Sequence, residues 1–83
     1  MTTIEPNEIT VKKQGTYYNG GTDYSVTFVL DYATITVSVE HDDEIETDDG
    51  EIVVGSDSGG VAIAVAAAGI LADHYGIDVA VES

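Results

Sequence analysis

Gly59-Gly60-Val61-Ala62-Ile63-Ala64-Val65-Ala66-Ala67-Ala68-Gly69-Ile70-Leu71-Ala72 is the stretch on which the fold turns. Alanine and leucine favour helix, Ser56, Asp57 or Ser58 can cap its first free amides, and Gly76 suits the left-handed position that ends one. The sequence predicts a single helix from about Gly59 to Tyr75. Its apolar run of 14 residues lacks basic flanks and falls short of the about 20 needed to cross a bilayer, so it reads as a buried helix of a soluble fold. One stripe carries Val61, Val65, Ala68 and Ala72, another Ile63, Ala67, Ile70 and Leu71, and Ala62, Ala66 and Gly69 form a strip of small residues beside them. A helix without a polar face is either enclosed or used at an interface. Eighty-three residues leave little chain with which to enclose one. Self-association through Ala62, Ala66 and Gly69 is therefore one expectation, and plain surface tolerance of alanine is the other.

What the helix covers is written in the residues around it. Glu8 to Lys13 sets Ile9 and Val11 against Thr10 and Lys12, the two-residue period of a half-buried strand, read here as an edge strand. Asn19-Gly20-Gly21 then supplies the positive backbone angles of a tight connection, which makes a hairpin. Tyr24, Val26, Phe28 and Leu30 point one way. Ala33, Ile35, Val37 and Val39 continue with the parity shifted by one, so Asp31-Tyr32 is a turn or bulge. Asp48-Asp49-Gly50 turns the chain into a short strand from Glu51 to Val54, and Ile77, Val79 and Val81 mark a last strand after the helix. The apolar face of a sheet needs a cover. The expected fold is a single α+β domain, residues 1–83, with a small, mostly antiparallel sheet of four to five strands and one helix packed on one face.

Sixteen acids face two lysines and no arginine, for a formal charge of −14, while 43% of the residues are hydrophobic. That apolar fraction excludes a disordered acidic tail. The charge excludes direct binding to nucleic-acid phosphate or an anionic membrane, since either needs clustered cations. With no cysteine there is no disulfide, zinc ribbon, thiol nucleophile or iron–sulfur cluster, and no cofactor is expected. Met1 to Ile9 carries neither a basic region nor an apolar block, so the chain is expected to stay in the cytoplasm.

Half of the acids, Glu40, Asp42, Asp43, Glu44, Glu46, Asp48, Asp49 and Glu51, lie within 12 residues. Glu40, Asp42, Glu44, Glu46 and Asp48 occupy every second position. If a strand continues through them they share one face at about 6.6–6.8 Å intervals, a line of fixed negative charge. Duplex DNA also presents regular negative charge, about one per 3.4 Å along each strand, and its readers grip it with lysine and arginine. These eight carboxylates are the expected partner-binding face. A solvated loop and adaptation to molar salt are the competing readings, although salt adaptation would spread acids over the whole surface. A calcium loop with Gly50 at its sixth position would need ligands at Ile45 and Thr47 and an acid at Ser56, so the register fails and no metal site is expected. Tyr17, Tyr18 and Tyr32 could anchor a partner beside the charges, whereas Tyr24 and Tyr75 are expected to pack over the sheet.

Asp57-Ser58-Gly59-Gly60 matches the signature of a serine-protease nucleophile. Such chemistry also requires a histidine base oriented by a buried acid, and only His41 and His74 exist, neither in a suitable context. Helix capping is the better role for Asp57, His74 suits the helix dipole near its C-terminus, and no catalytic residue is expected.

Gly55 to Leu71, a Gly-Ser turn into an alanine-rich helix after a run of strands, resembles the second half of a double-stranded-RNA-binding domain. Val61, Ala62 and Ile63 stand where that family places lysines, so RNA binding is not implied. The chain also resembles the small acidic anti-CRISPR proteins of phages and mobile elements, some of which pair a Gly-Ser-Asp turn with an alanine-rich helix, as Gly55-Ser56-Asp57 and Val61 to Ala68 do. This resemblance covers about a third of the chain. It implies a non-enzymatic inhibitor that binds a type I CRISPR surveillance complex (Cascade) in the host cytoplasm, its acids covering the basic surface that holds target DNA. The alternative is a structural or oligomerising domain of a salt-adapted organism, assembled through the Ala/Gly face of the helix.

Overall fold

The computed structural model describes residues 2–16, 21–42, 51–54 and 60–81. In chain order these form β1 (Thr2–Ile4), β2 (Glu8–Thr16), β3 (Thr22–Val29), β4 (Thr34–His41), β5 (Glu51–Val53), α1 (Gly60–Tyr75) and β6 (Ile77–Val79). Four strands make an antiparallel sheet in the order β4-β3-β2-β5, and β1 and β6 form a separate parallel pair. The fold is α+β, as the sequence predicts.

Alternation drives the layering. In β3, Thr22, Tyr24, Val26 and Phe28 are buried while Asp23, Ser25, Thr27 and Val29 are half-exposed. Register carries that division across the sheet: Val26 stands between Val11 and Val37, Phe28 between Ile9 and Ile35, and Tyr24 opposite Val39. The helix answers with Ile63, Ala64, Ala67, Ala68 and Leu71 on its buried side. Ala64 and Ala67 have no exposed surface. Their small side chains bring the helix axis close to the sheet, so the bulkier Ile63, Leu71 and Phe28 are fully enclosed. Each such side chain contributes about 1.5–3 kcal/mol by leaving water.

The turn at Asp31-Tyr32 is where the parity change places it. Leu30 N donates to Ala33 O at 2.8 Å, and Val29 pairs with Thr34 immediately outside. Gly76 adopts φ +66°, the left-handed conformation that releases the chain from α1 into β6.

The edge-strand expectation needs correction, and the pairing of the short strands adds to the sequence reading. The strand beginning at Glu8 is interior, because Lys12, Val11 and Thr10 pair with Glu51, Ile52 and Val53 of β5 on the side away from β3. It extends to Thr16 with a register shift between Lys13 and Gly15. The last strand does not join the main sheet. Instead Ile77, Asp78 and Val79 pair with Thr2, Thr3 and Ile4, and Ala80 N donates to Ile4 O at 2.9 Å. β1 itself is too short, at three residues, to show a period in sequence.

Candidate functional site

At one end of the sheet β2 and β4 finish while β3 and β5 begin, because β2 and β4 run antiparallel to their neighbours. That end gathers acids. Glu40 is exposed near the end of β4, directly opposite Asp23 of β3, and Asp42 follows in an exposed bend. Glu51 opens β5, exposed and opposite Lys12. Register places Glu40, Asp23 and Glu51 on the same face, the one α1 leaves uncovered, since Glu51 shares the row of Lys12, Ser25 and Ser38 and the Asp23–Glu40 pair lies two residues along from it. The Glu40 carboxylate lies against the backbone at Gly21, in the space a Cβ there would take.

Of the eight carboxylates singled out in the sequence, Glu40 and Asp42 are therefore at this end of the sheet, while Glu51, where β5 enters from that side, lies opposite Lys12 at the middle of β2, two residues inward of the Asp23–Glu40 row. Asp43, Glu44, Glu46, Asp48 and Asp49 lie outside the described residues. β4 stops at His41, so among the five alternate positions Glu40 alone of the described residues is in strand and Asp42 is already in the bend. β4 and β5 are three strand spacings apart, about 14 Å across the sheet at the usual interstrand distance.

The remaining candidates divide. Ala62, Ala66 and Gly69 are exposed on the outer face of α1, together with Val65 at 51% exposure. Tyr32 projects from the β3–β4 turn at 77% exposure, and Tyr17 and Tyr18 lie outside the described residues. Tyr24 is buried as expected. Tyr75 is not: it stands 70% exposed on the last turn of α1, its ring edge-on to His74 at 6.3 Å between centroids. Leu71 is in the core and Ile77 packs against it, whereas Tyr75 borders the concavity between α1 and β4.

Asp57, Ser58 and Gly59 lie outside the described residues, and Gly60 begins α1, buried. His41 ends β4, whereas His74 stands beside the middle of that strand with Ile35, Thr36, Val37 and Ser38. Among the described residues no three histidine, aspartate or glutamate side chains come together as metal ligands, and no helix is long and apolar enough to cross a membrane.

Sequence reasoning missed two concavities. One, of about 490 Å3, runs between β4 and the C-terminal half of α1 and is lined by Ile35, Val37, Ile70, His74, Tyr75 and Ile77 among others. The other, about 610 Å3 and more polar, lies between the β1–β2 connection and the ends of β5 and β6. The apolar residues of the first were all legible as helix or strand positions, but that β4 is the sheet's outer strand depends on pairing, which no local pattern encodes.

Compared with family models, with curated proteins and with solved structures, the chain matches none.

Proposed function

We propose that this protein is a non-enzymatic, stoichiometric inhibitor that occupies a cationic nucleic-acid-binding surface, with Glu40, Asp42, Asp43, Glu44, Glu46, Asp48, Asp49 and Glu51 as its contact face. One observation carries the reading: the acidic segment leaves and re-enters the sheet at the same end, from β4 and into β5, so its two ends are tied to paired strands. A charged segment anchored at both ends loses less entropy on binding than a free tail, and its field speeds encounter with a basic partner. The likeness to anti-CRISPR proteins makes a type I surveillance complex the first target to test, in the cytoplasm of the host cell.

The test is displacement of labelled duplex DNA from that purified complex. The parent chain should displace DNA stoichiometrically, less well as salt rises. Asp42→Lys, Glu44→Lys and Glu46→Lys together should abolish displacement while the circular dichroism spectrum is retained. A triple variant as effective as the parent overturns the acidic-face mechanism.

A second reading has its own observation. Ala62, Val65, Ala66 and Gly69 form an exposed, uncharged helix face, and an oligomerising domain of a salt-adapted organism would use it. Sedimentation separates the two: a monomer in dilute buffer favours the inhibitor, and an oligomer that requires molar salt favours the second reading.

A further inference from the structure

β4 is an eight-residue strand at the margin of the sheet, and among the described residues no strand pairs with its outer side. The hydrogen-bonding sense of that side follows from the turn. Leu30 N donates to Ala33 O, so residues 30 and 33 form a hydrogen-bonded pair, and pairs alternate from there along an antiparallel ladder. Ile35, Val37, Val39 and His41 thus direct their amides and carbonyls to β3. Thr34, Thr36, Ser38 and Glu40 direct theirs outward, and all four are exposed.

Proteins blunt such edges with charged side chains, lysine above all, or with proline, a bulge, brevity or a covering segment. Apart from Glu40 near its end, β4 has none of these among the described residues: its sequence from Thr34 to His41 contains neither lysine nor proline, and its register with β3 is unbroken over eight pairs. The opposite margin, β5, is only three residues long. Alongside β4 runs the apolar groove of about 490 Å3, walled by Ile35 and Val37 on one side and Ile70, Tyr75 and Ile77 on the other. An open ladder beside an apolar trough is the arrangement used where an extended peptide adds a strand: the backbone supplies affinity, and alternate side chains enter the trough.

Charge selects the occupant. Asp31 precedes β4, Glu40 and Asp42 close it, Asp23 lies opposite Glu40, and Asp73 and Asp78 are exposed at the end of α1 and in β6. Both lysines lie on β2, with β3 between them and β4. A second copy would bring a further net charge of −14 to the pair. We propose that the outer edge of β4 and the groove beneath it receive an extended segment of a cationic partner protein, in which apolar residues alternate with lysine or arginine. The apolar set enters the groove and the cations lie on the uncovered face, toward Glu40 and Asp23. This proposal does not rest on the polyanion reading, because the ladder and groove are independent of residues 43–50.

The probe is a peptide as long as β4 with alternating lysine and valine, followed by fluorescence anisotropy at about 0.15 M salt. Two twins carry backbone N-methyl groups, one on the lysines and the other on the valines, so charge and side chains are unchanged while opposite edges of the peptide lose their donors. If the peptide pairs with β4, one twin, and only one, weakens by roughly tenfold or more. Thr36→Pro, which removes an outward amide and spares the β3 ladder, weakens the unmodified peptide to a similar degree. Tyr75→Ala, at an exposed site, weakens it through loss of a groove wall and keeps the test open should the proline variant misfold. Twins that bind alike would mean that charge alone attracts the peptide, and would overturn the proposal. So would concentration-dependent protection of the Thr36 and Ser38 amides without peptide, which would identify the occupant as a second copy. Reversal of Glu44 and Glu46 to lysine should reduce peptide binding far less than Thr36→Pro; the opposite ranking would also sink it.

Discussion

The two faces of the four-stranded sheet are made from the same strands in alternation, yet they obey different rules. The covered face carries Ile9, Val11, Tyr24, Val26, Phe28, Val37 and Val39 beneath Ile63, Ala64, Ala67 and Leu71 of α1. The uncovered face carries Thr10, Lys12, Asp23, Ser25, Thr27, Thr36, Ser38 and Glu40. On the first, every side chain is fixed by neighbours, so volume decides stability. On the second, hydroxyls and carboxylates meet water, so stability is nearly indifferent to identity, and sequence there is free to serve recognition.

The strongest way to break the first face is Phe28→Ala. Phe28 has no exposed surface and stands in the row between Ile9 and Ile35. Removing its ring leaves a cavity that alanine-rich α1 cannot fill, with an expected loss of about 3–5 kcal/mol. Total stability of a domain is about 5–15 kcal/mol, so urea denaturation should show a native state reduced to marginal stability or lost. A cost below about 1 kcal/mol would mean that the two layers do not interlock as described.

Much of this face was legible beforehand, for a physical reason. Residues Tyr24 to Phe28 and Ile35 to Val39 alternate strictly, and the parity shift at Asp31-Tyr32 locates the turn, because a strand can present only every second side chain to a core. The helix, expected from about Gly59 to Tyr75, runs from Gly60 to Tyr75, and Gly76 in the left-handed conformation ends it. Which strands are neighbours was not legible. Glu8 to Lys13 looks like an edge strand because Thr10 and Lys12 are polar, but those residues face solvent across the sheet, and its edge is filled by β5 from forty residues later. Likewise the identity of acids at positions 40–51 was plain, whereas only their tie to one end of the sheet, through β4 and β5, comes from topology. Tyr75 escaped for a similar reason: its apolar ring suggests burial, but it stands exposed at the rim of the groove beside β4, whose place in the sheet comes from pairing.

Gly76→Ala probes how firmly the cover is held over that face. A residue with a Cβ at φ +66° is strained whatever the surrounding space, and nothing lies within 4 Å of the missing Cβ, so the cost is conformational alone. About 1–2 kcal/mol is expected, read as a fall in the thermal midpoint, with Asn in place of Ala recovering part of it. Equal midpoints for Ala and Gly would refute a left-handed terminus.

Thr22 is the one member of the covered face of β3 that breaks the apolar rule. It has no exposed surface, and among the described residues its hydroxyl finds no hydrogen-bond partner. Such an oxygen has lost its water without compensation. Thr22→Val keeps the shape and discards the penalty, and should raise stability by about 1 kcal/mol, seen as a higher midpoint in urea. A loss of similar size would show that the hydroxyl is in fact satisfied.

The smallest effect belongs to the uncovered face. Thr27 and Thr36 face each other across β3 and β4 with their hydroxyl oxygens 3.4 Å apart, long for a bond between hydroxyls, and water competes for both. Thr27→Val and Thr36→Val preserve β-branching and shape, so strand preference is retained and only this weak contact is lost. Either change should move stability by less than about 0.5 kcal/mol, and the double variant should equal the sum of the singles, since there is little coupling to lose. Strong non-additivity would mean that the hydroxyls act as a unit. The division between a face that must be conserved in volume and a face free to vary would then fail at its centre, because the uncovered rows would contribute to folding as the buried ones do.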